Sequence, residues 1–260
     1  MRNRITLRNP KIKFQDLTIE VTRRCNMHCA HCLRGEPQNL DISKETIEKI
    51  ISKTATIGCL TFTGGEPALN VKAIKQTLTL CKDYQVPVYS FYVVTNGKKV
   101  THEFLKTMLD WYCYCTECAG NDDMTGVALS SDAFHESIPR ENILKLQGLS
   151  FFRPDDHKIQ ADKPFSLINL GRARNLTGIT KREMHYVDEI DTSFDGQTVE
   201  VNDAIIAMTV KGEILAQCDY EYDHIDDIYI CDVDNISSTF RRMATDVTYD
   251  WKHPVKEATA

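Results

Sequence analysis

Apolar residues along this chain fall alternately into a period of two and a period near 3.6. Asp16 to Thr22 alternates polar and apolar residues, as a strand with one buried face does. A cysteine-bearing stretch follows, and then SKETIEKIISKT repeats isoleucine at helical spacing, with Ser43 placed to cap the first turn. Leu60 to Thr63 predicts a short buried strand, Val71 to Tyr84 a helix, Val88 to Thr95 a β-branched and aromatic strand, and His102 to Trp111 another helix. Gly126 to Ser130 predicts a fourth strand and Pro139 to Gln147 a helix with proline near its first turn. Extended pieces are expected near Leu149 to Phe152 and Phe165 to Leu170.

Strands that alternate with helices in this way build a parallel sheet with right-handed crossovers, so the fold class is α/β. After about residue 185 the pattern changes. Alternation on both sides of Lys211, Gly212 and Glu213 predicts a β-hairpin turning at Gly212, followed by a closing helix from Ile236 to Thr245 and a frayed tail, WKHPVKEATA. Two regions are expected: a core over residues 1–185, and an extension over 186–260 whose hairpin and helix cap it.

Composition narrows the class. The 260 residues are 42% hydrophobic and 26% charged, ordinary values for a globular chain long enough to bury a full core. The N-terminal stretch MRNRITLRNPKIKF is basic but has no apolar segment, and no run approaches the roughly 18 apolar residues of a membrane span. A cytoplasmic protein with no membrane partner is therefore expected. A net charge of −6 gives no general attraction to nucleic acid or to an anionic membrane. Ten cysteines without a secretory signal fit metal binding better than a disulfide framework.

The chemistry is concentrated in EVTRRCNMHCAHCLRG, where Cys25, Cys29 and Cys32 follow a three-then-two spacing. Three thiolates on one short loop hold three irons of a cubane cluster and leave the fourth iron free of protein, whereas an electron-transfer ferredoxin site uses four cysteines. Zinc with His28 or His31 as a fourth ligand is the rival reading, although zinc sites more often pair cysteines as CxxC with a second pair downstream. In TFTGGEP, Gly64 and Gly65 allow close backbone approach to a ligand and Glu66 can accept from an ammonium group; the rival is a plain turn. VVTNG delivers Asn96 at a strand end. LSSDAFHE carries Ser130, Asp132 and His135, with a helix N-cap as the rival role for Asp132 and a structural role as the rival for His135. Arg172 and Arg174 in INLGRARNL, with Lys181 and Arg182, form a basic group that either meets an anionic substrate or is a solvated face. Cys113, Cys115 and Cys118 form a CxCxxC run that either binds a second metal, with Cys218 or Cys231 as a fourth ligand, or packs at a helix end. Cys59 and Cys81 fall inside predicted elements and are expected in the core.

The cysteine run, with a ring residue before its last cysteine, resembles the CxxxCxxC signature of the radical S-adenosylmethionine (SAM) enzymes, and GGEP after the second strand resembles their GGE motif. INLGRAR is similar to the family's Gly-Arg-Ala stretch. The resemblance covers residues 15 to 175 well and the remainder loosely. It implies a partial (β/α)6 TIM-like barrel, whose sites lie at the C-terminal ends of the strands. The cysteine triad, GGEP, Asn96 and Asp132 follow the first, second, third and fourth predicted strands in turn.

What the resemblance implies for function is a [4Fe-4S] cluster held by Cys25, Cys29 and Cys32, which reductively cleaves SAM to methionine and a 5′-deoxyadenosyl radical that takes hydrogen from a substrate. His31 would pack by the adenine, Gly64, Gly65 and Glu66 would bind the amino-acid end of SAM, and Asn96, Ser130 and Asp132 would meet its ribose or carboxylate. An electron donor such as flavodoxin or ferredoxin is implied as a partner. The hairpin followed by Cys218 is similar to the SPASM or twitch extension of peptide-modifying members, which favours a peptide or protein side chain as substrate. That extension carries several more cysteines, and only Cys231 follows here, so a cluster-free cap is expected. The alternatives are a nucleoside or other small-molecule substrate, and a non-enzymatic zinc or iron-sulfur module.

Overall fold

The computed structural model describes residues 9–121, 124–154 and 165–252. Its centre is a nine-stranded sheet built from β1 (Lys11–Thr22), β2 (Thr54–Gly64), β3 (Val88–Thr95), β4 (Gly126–Leu129), β5 (Phe152–Arg153), β8 (Asp191–Phe194), β9 (Thr198–Met208), β10 (Glu213–Leu215) and β11 (Tyr229–Asp232). The helices are α1 (Lys44–Lys53), α2 (Val71–Asp83), α3 (His102–Glu117), α4 (Arg140–Gln147) and α5 (Ile236–Thr245). Strands β9, β1, β2, β3, β4 and β5 lie side by side in that order, each neighbouring pair parallel. No helix among the described residues is long and apolar enough to cross a membrane.

Local chemistry explains the elements. Ser43 caps α1 by accepting from the Thr46 amide at 3.1 Å, and Ile47, Ile50 and Ile51 form its buried face. Thr101 caps α3 in the same way through the Phe104 amide. That helix continues six residues beyond the expected end at Trp111, to Glu117, because Phe104, Thr107, Met108, Trp111, Tyr114 and Cys115 keep one helical face buried. Tertiary packing there outweighs the modest helix propensity of tyrosine and cysteine. Trp111 is fully buried, its ring against Phe62 and Phe91 and its Nε1–H donated to the Ile74 carbonyl at 3.2 Å.

One expectation about topology is corrected. The sixth strand unit expected at Phe165 to Leu170 does not join the barrel sheet. Leu167–Ile168 (β6) pairs instead with Lys181–Arg182 (β7) in a separate two-stranded sheet. The sixth parallel position is filled from the other side by β9, which registers Leu17 against Ile206 and Ile19 against Met208. The hairpin at Gly212 forms as expected, with Ile214 opposite Met208, and its strands are part of the main sheet. Phe240 of α5 packs edge-on to Phe14 of β1, so residues on both sides of position 185 share one hydrophobic core. The tail beyond Lys252 lies outside the described residues.

Candidate cluster and cofactor site

The inner faces of the strands are polar where their outer faces are apolar. Leu17, Ile19, Leu60, Phe62, Phe91 and Val93 point into the helix-covered core, whereas Asp16, Thr18, Cys59, Thr61, Thr63, Tyr92 and Val94 line a cavity of about 470 Å³. Its mouth is built from the C-terminal strand ends: the cysteine loop after β1, Gly64 to Pro67 after β2, Asn96 after β3 and Ser130 after β4. Parallel barrels place their sites at this end because the loops there are free to vary on a rigid scaffold. Cys59, expected in the core, is a wall of this cavity. Cys81 is fully buried in the core, as expected.

Cys25, Cys29 and Cys32 all reach the cavity. Among the described residues, the donor atoms of His31, Asp132 and His135 lie within 4.8 Å of one another. Burial raises the Cys25 thiol, helped by Glu66 and Cys32, and pushes Cys29 up to about 11 with the neighbouring Cys25 and Cys32 adding to the effect. A cationic metal centre is what would hold such thiols deprotonated.

Gly64, at φ +153°, and Gly65 bring the second strand's end against the cysteine loop. A Cβ on Gly64 would clash with the Thr22 carbonyl, and one on Gly65 with that of Arg24. The Gly65 amide donates to Thr22 O and the Glu66 amide to Arg24 O, both at 2.8 Å. The Glu66 side chain is buried, and three donors hold its carboxylate: the Ala68 amide at 3.0 Å, the Thr95 hydroxyl at 2.7 Å and the Asn96 amide at 2.7 Å. Burial raises its pKa while these bonds oppose the rise. Glu66 thus ties the loop after β2 to the end of β3, and its residue also lines the cavity.

Asn96 lines the cavity and donates its side-chain amide to Asn26 Oδ1 at 2.9 Å. Ser130 lines it as well, its amide bonded to Thr95 O. Asp132 does not reach the cavity wall. Its Oδ1 accepts from the Phe134 amide and meets His135 Nδ1, both at 2.8 Å, and its Oδ2 lies 3.9 Å from His31 Nε2. Burial pushes this carboxyl up, but the His135 and Phe134 hydrogen bonds outweigh it and hold the pKa below the usual value. It caps no helix, since α4 begins at Arg140 behind Pro139. Asp132 instead orients two imidazoles that do line the cavity: His31, whose pKa burial lowers, and His135. The His31 ring lies 5.0 Å from Phe134 and 4.8 Å from His135.

The C-terminal segment supplies the remaining wall with Cys218, Asp219 and Tyr222. It is fastened to the cysteine loop. Arg34 donates to Cys218 O at 2.6 Å and Tyr220 O at 3.1 Å while lying 3.9 Å over the Tyr220 ring. Arg23, buried and paired with Glu20 at 3.1 Å, lies 4.5 Å over the Tyr222 ring. The basic group expected to meet an anionic substrate is occupied within the protein: Arg172 donates to loop carbonyls and Arg174 pairs with Glu221 at 2.7 Å. The second cysteine run lies within α3 and its C-cap. Two positions apart on a helix, Cys113 and Cys115 face different ways, and accordingly Cys113 is exposed and Cys115 buried. They form no compact donor group.

Residues 19–116 match the sequence model of the Radical SAM superfamily. MJ0907 of Methanocaldococcus jannaschii is 33% identical over 73 residues, which cover 27% of this chain and 26% of that one. YydG of Bacillus subtilis, named for peptide biosynthesis, is 24% identical over 139 residues, 50% of this chain and 39% of that one. The matches thus span well under half of those relatives' lengths. Among solved structures, anSMEcpe with bound AdoMet and a peptide overlays with a TM-score of 0.45 at 10% identity, covering 91% of this chain and 81% of that one. The family match begins within β1, takes in the cysteine loop and GGEP, and ends in α3, so what these residues are similar to is a radical SAM domain.

Proposed function

We propose that the protein is a radical SAM enzyme acting on a peptide or protein side chain. The observation that carries the reading is the joining of Cys25, Cys29 and Cys32 and the GGEP loop around one cavity at one end of a parallel sheet. The domain match implies a [4Fe-4S] cluster and SAM, and three cysteines of one loop that line the same cavity suit such a cluster. Bound there and reduced by an external donor such as flavodoxin or ferredoxin, these cofactors supply a reductively triggered hydrogen-atom abstraction.

The chain's own residues bind, orient and enclose. Cys25, Cys29 and Cys32 would hold the cluster through three of its irons. Gly64 and Gly65 let backbone carbonyls approach the amino-acid end of SAM, with Glu66 beside them, while Asn96 and Ser130 offer polar contacts on the same rim. His31 presents an aromatic face for the adenine. Cys218, Asp219 and Tyr222 wall the cavity beside the cysteine loop. The peptide class is supported by the match to YydG.

The test is turnover. Reconstituted, reduced protein supplied with SAM will form 5′-deoxyadenosine, and peptides extracted from cells lacking the gene will raise its rate and change in mass. Stimulation by nucleosides with no change in any peptide would favour the small-molecule alternative. No 5′-deoxyadenosine under any condition would refute the enzymatic reading.

A further inference from the structure

The cysteine loop between Thr22 and Asp41 has no helix or ladder strand of its own, and the backbone bonds within Cys25 to Gly35 are Cys32 N–H to Cys29 O at 3.2 Å and Gly35 N–H to Cys32 O at 3.5 Å. Its shape is held from outside. Arg172, in the 3-10 turn Gly171–Asn175, donates its backbone N–H to Cys32 O at 2.9 Å, its Nε to Cys29 O at 2.9 Å and its Nη1 to Gly35 O at 2.8 Å. Two of these three carbonyls belong to cysteines of the triad. Nη1 also lies 3.4 Å from both His28 Nδ1 and Glu36 Oε1.

Gly171 makes this grip feasible. It sits at φ +52°, and a Cβ there would stand 2.5 Å from Cys32 O and Leu33 O and 2.6 Å from Gly35 N. Only glycine lets the turn come close enough for the next amide to reach Cys32 O. The turn lies between β6 and β7, the pair that stands apart from the main sheet. This small unit therefore leans on the cysteine loop, and the loop leans on it.

We propose that Arg172 is a positioning residue that couples docking of the β6–β7 unit to retention of the cluster. The inference rests on the cluster reading given above. A ligand that fixes the loop favours the docked unit, and by reciprocity the docked unit tightens the loop around its ligand. The planar fork matters as much as the charge, because a lysine keeps the charge near Cys29 but reaches one acceptor in place of two.

The experiment compares reconstituted wild type, Arg172→Lys and Arg174→Gln, following iron loss to a chelator and amide hydrogen exchange across residues 165–182. Outer-shell partners of metal ligands commonly change retention by about 10–100-fold. Arg172→Lys is therefore expected to lose iron at least about tenfold faster than wild type. Arg174→Gln, which alters the same turn but touches no loop carbonyl, should match wild type. Exchange across 165–182 should be faster in cluster-free wild type than in the loaded protein, with loaded Arg172→Lys shifted towards the cluster-free pattern. Equal iron loss in Arg172→Lys and wild type, equal loss in the two variants, or exchange indifferent to the cluster would overturn the coupling. Wild type that binds no iron would overturn the cluster reading itself and this inference with it.

Discussion

Replacing Cys25, Cys29 and Cys32 together by alanine will reduce bound iron from about four per chain to essentially none and leave no zinc in its place. The expectation follows from where the other thiols lie. Cys113 points to solvent while Cys115, two positions on, points into the core. Cys81 is fully buried, and its thiol is pushed up by burial, with Cys115 and Cys118 adding to the effect. Cys218 stands in the cavity wall with its thiol pushed up to about 11, chiefly by burial and then by Asp219. Outside the triad, then, the thiols with raised pKa are core or wall groups that stay protonated at neutral pH. A triple variant that keeps about four irons, with visible absorbance insensitive to SAM, would establish a second cluster; one that keeps a single zinc ion would establish a separate zinc site.

The second large effect is expected at Glu66. Glu66→Ala strands the Ala68 amide, the Thr95 hydroxyl and the Asn96 amide in a buried site. An unsatisfied buried donor costs about 1–3 kcal/mol, so the loss is at least about 3 kcal/mol in all. For a chain of this size that corresponds to a fall in Tm of ~6–12 °C. On the proposed reading the same substitution also removes a carboxylate from beside the SAM ammonium, a charge-assisted contact worth about 1.5–3 kcal/mol, or roughly 10–150-fold in affinity. Calorimetric unfolding and SAM titration of the cluster-loaded variant check the two separately. An unchanged Tm would contradict the tie between β2 and β3, and unchanged SAM affinity would contradict the contact.

Much of this architecture is written locally in the chain. Ser43 with the isoleucines of α1, and the β-branched and aromatic run Val88 to Thr95, declare their elements through capping chemistry and periodicity alone. The start of β1 at Lys11 is harder to read, because PKIKF looks like a basic tail until Ile12 and Phe14 are seen to pair with β2 and β9. The placement of β9 beside β1 joins segments nearly 190 positions apart and leaves no local trace. The cysteine triad and GGEP stand out in the sequence because their spacing matches a family pattern, and the model match over residues 19–116 takes in both. Arg172 is not, since an arginine that grips carbonyls reads in sequence like any exposed charge. Thr18, Thr61 and Thr63 carried a signal in their alternation with Leu17, Leu60 and Phe62. That signal marks two faces of a strand, and only the assembled fold says which one faces a cavity. Asp132 is singled out in the sequence by its place after a strand, but its partners, His31 and His135, come together only through the fold.

Electron paramagnetic resonance of the reduced, anaerobically reconstituted protein, recorded with and without SAM, tests the central claim most directly. A site-differentiated cluster held by Cys25, Cys29 and Cys32 gives a [4Fe-4S]1+ signal that changes when SAM occupies the open iron. Protein that carries zinc and no iron, or a cluster signal that SAM leaves unaltered, would contradict the account.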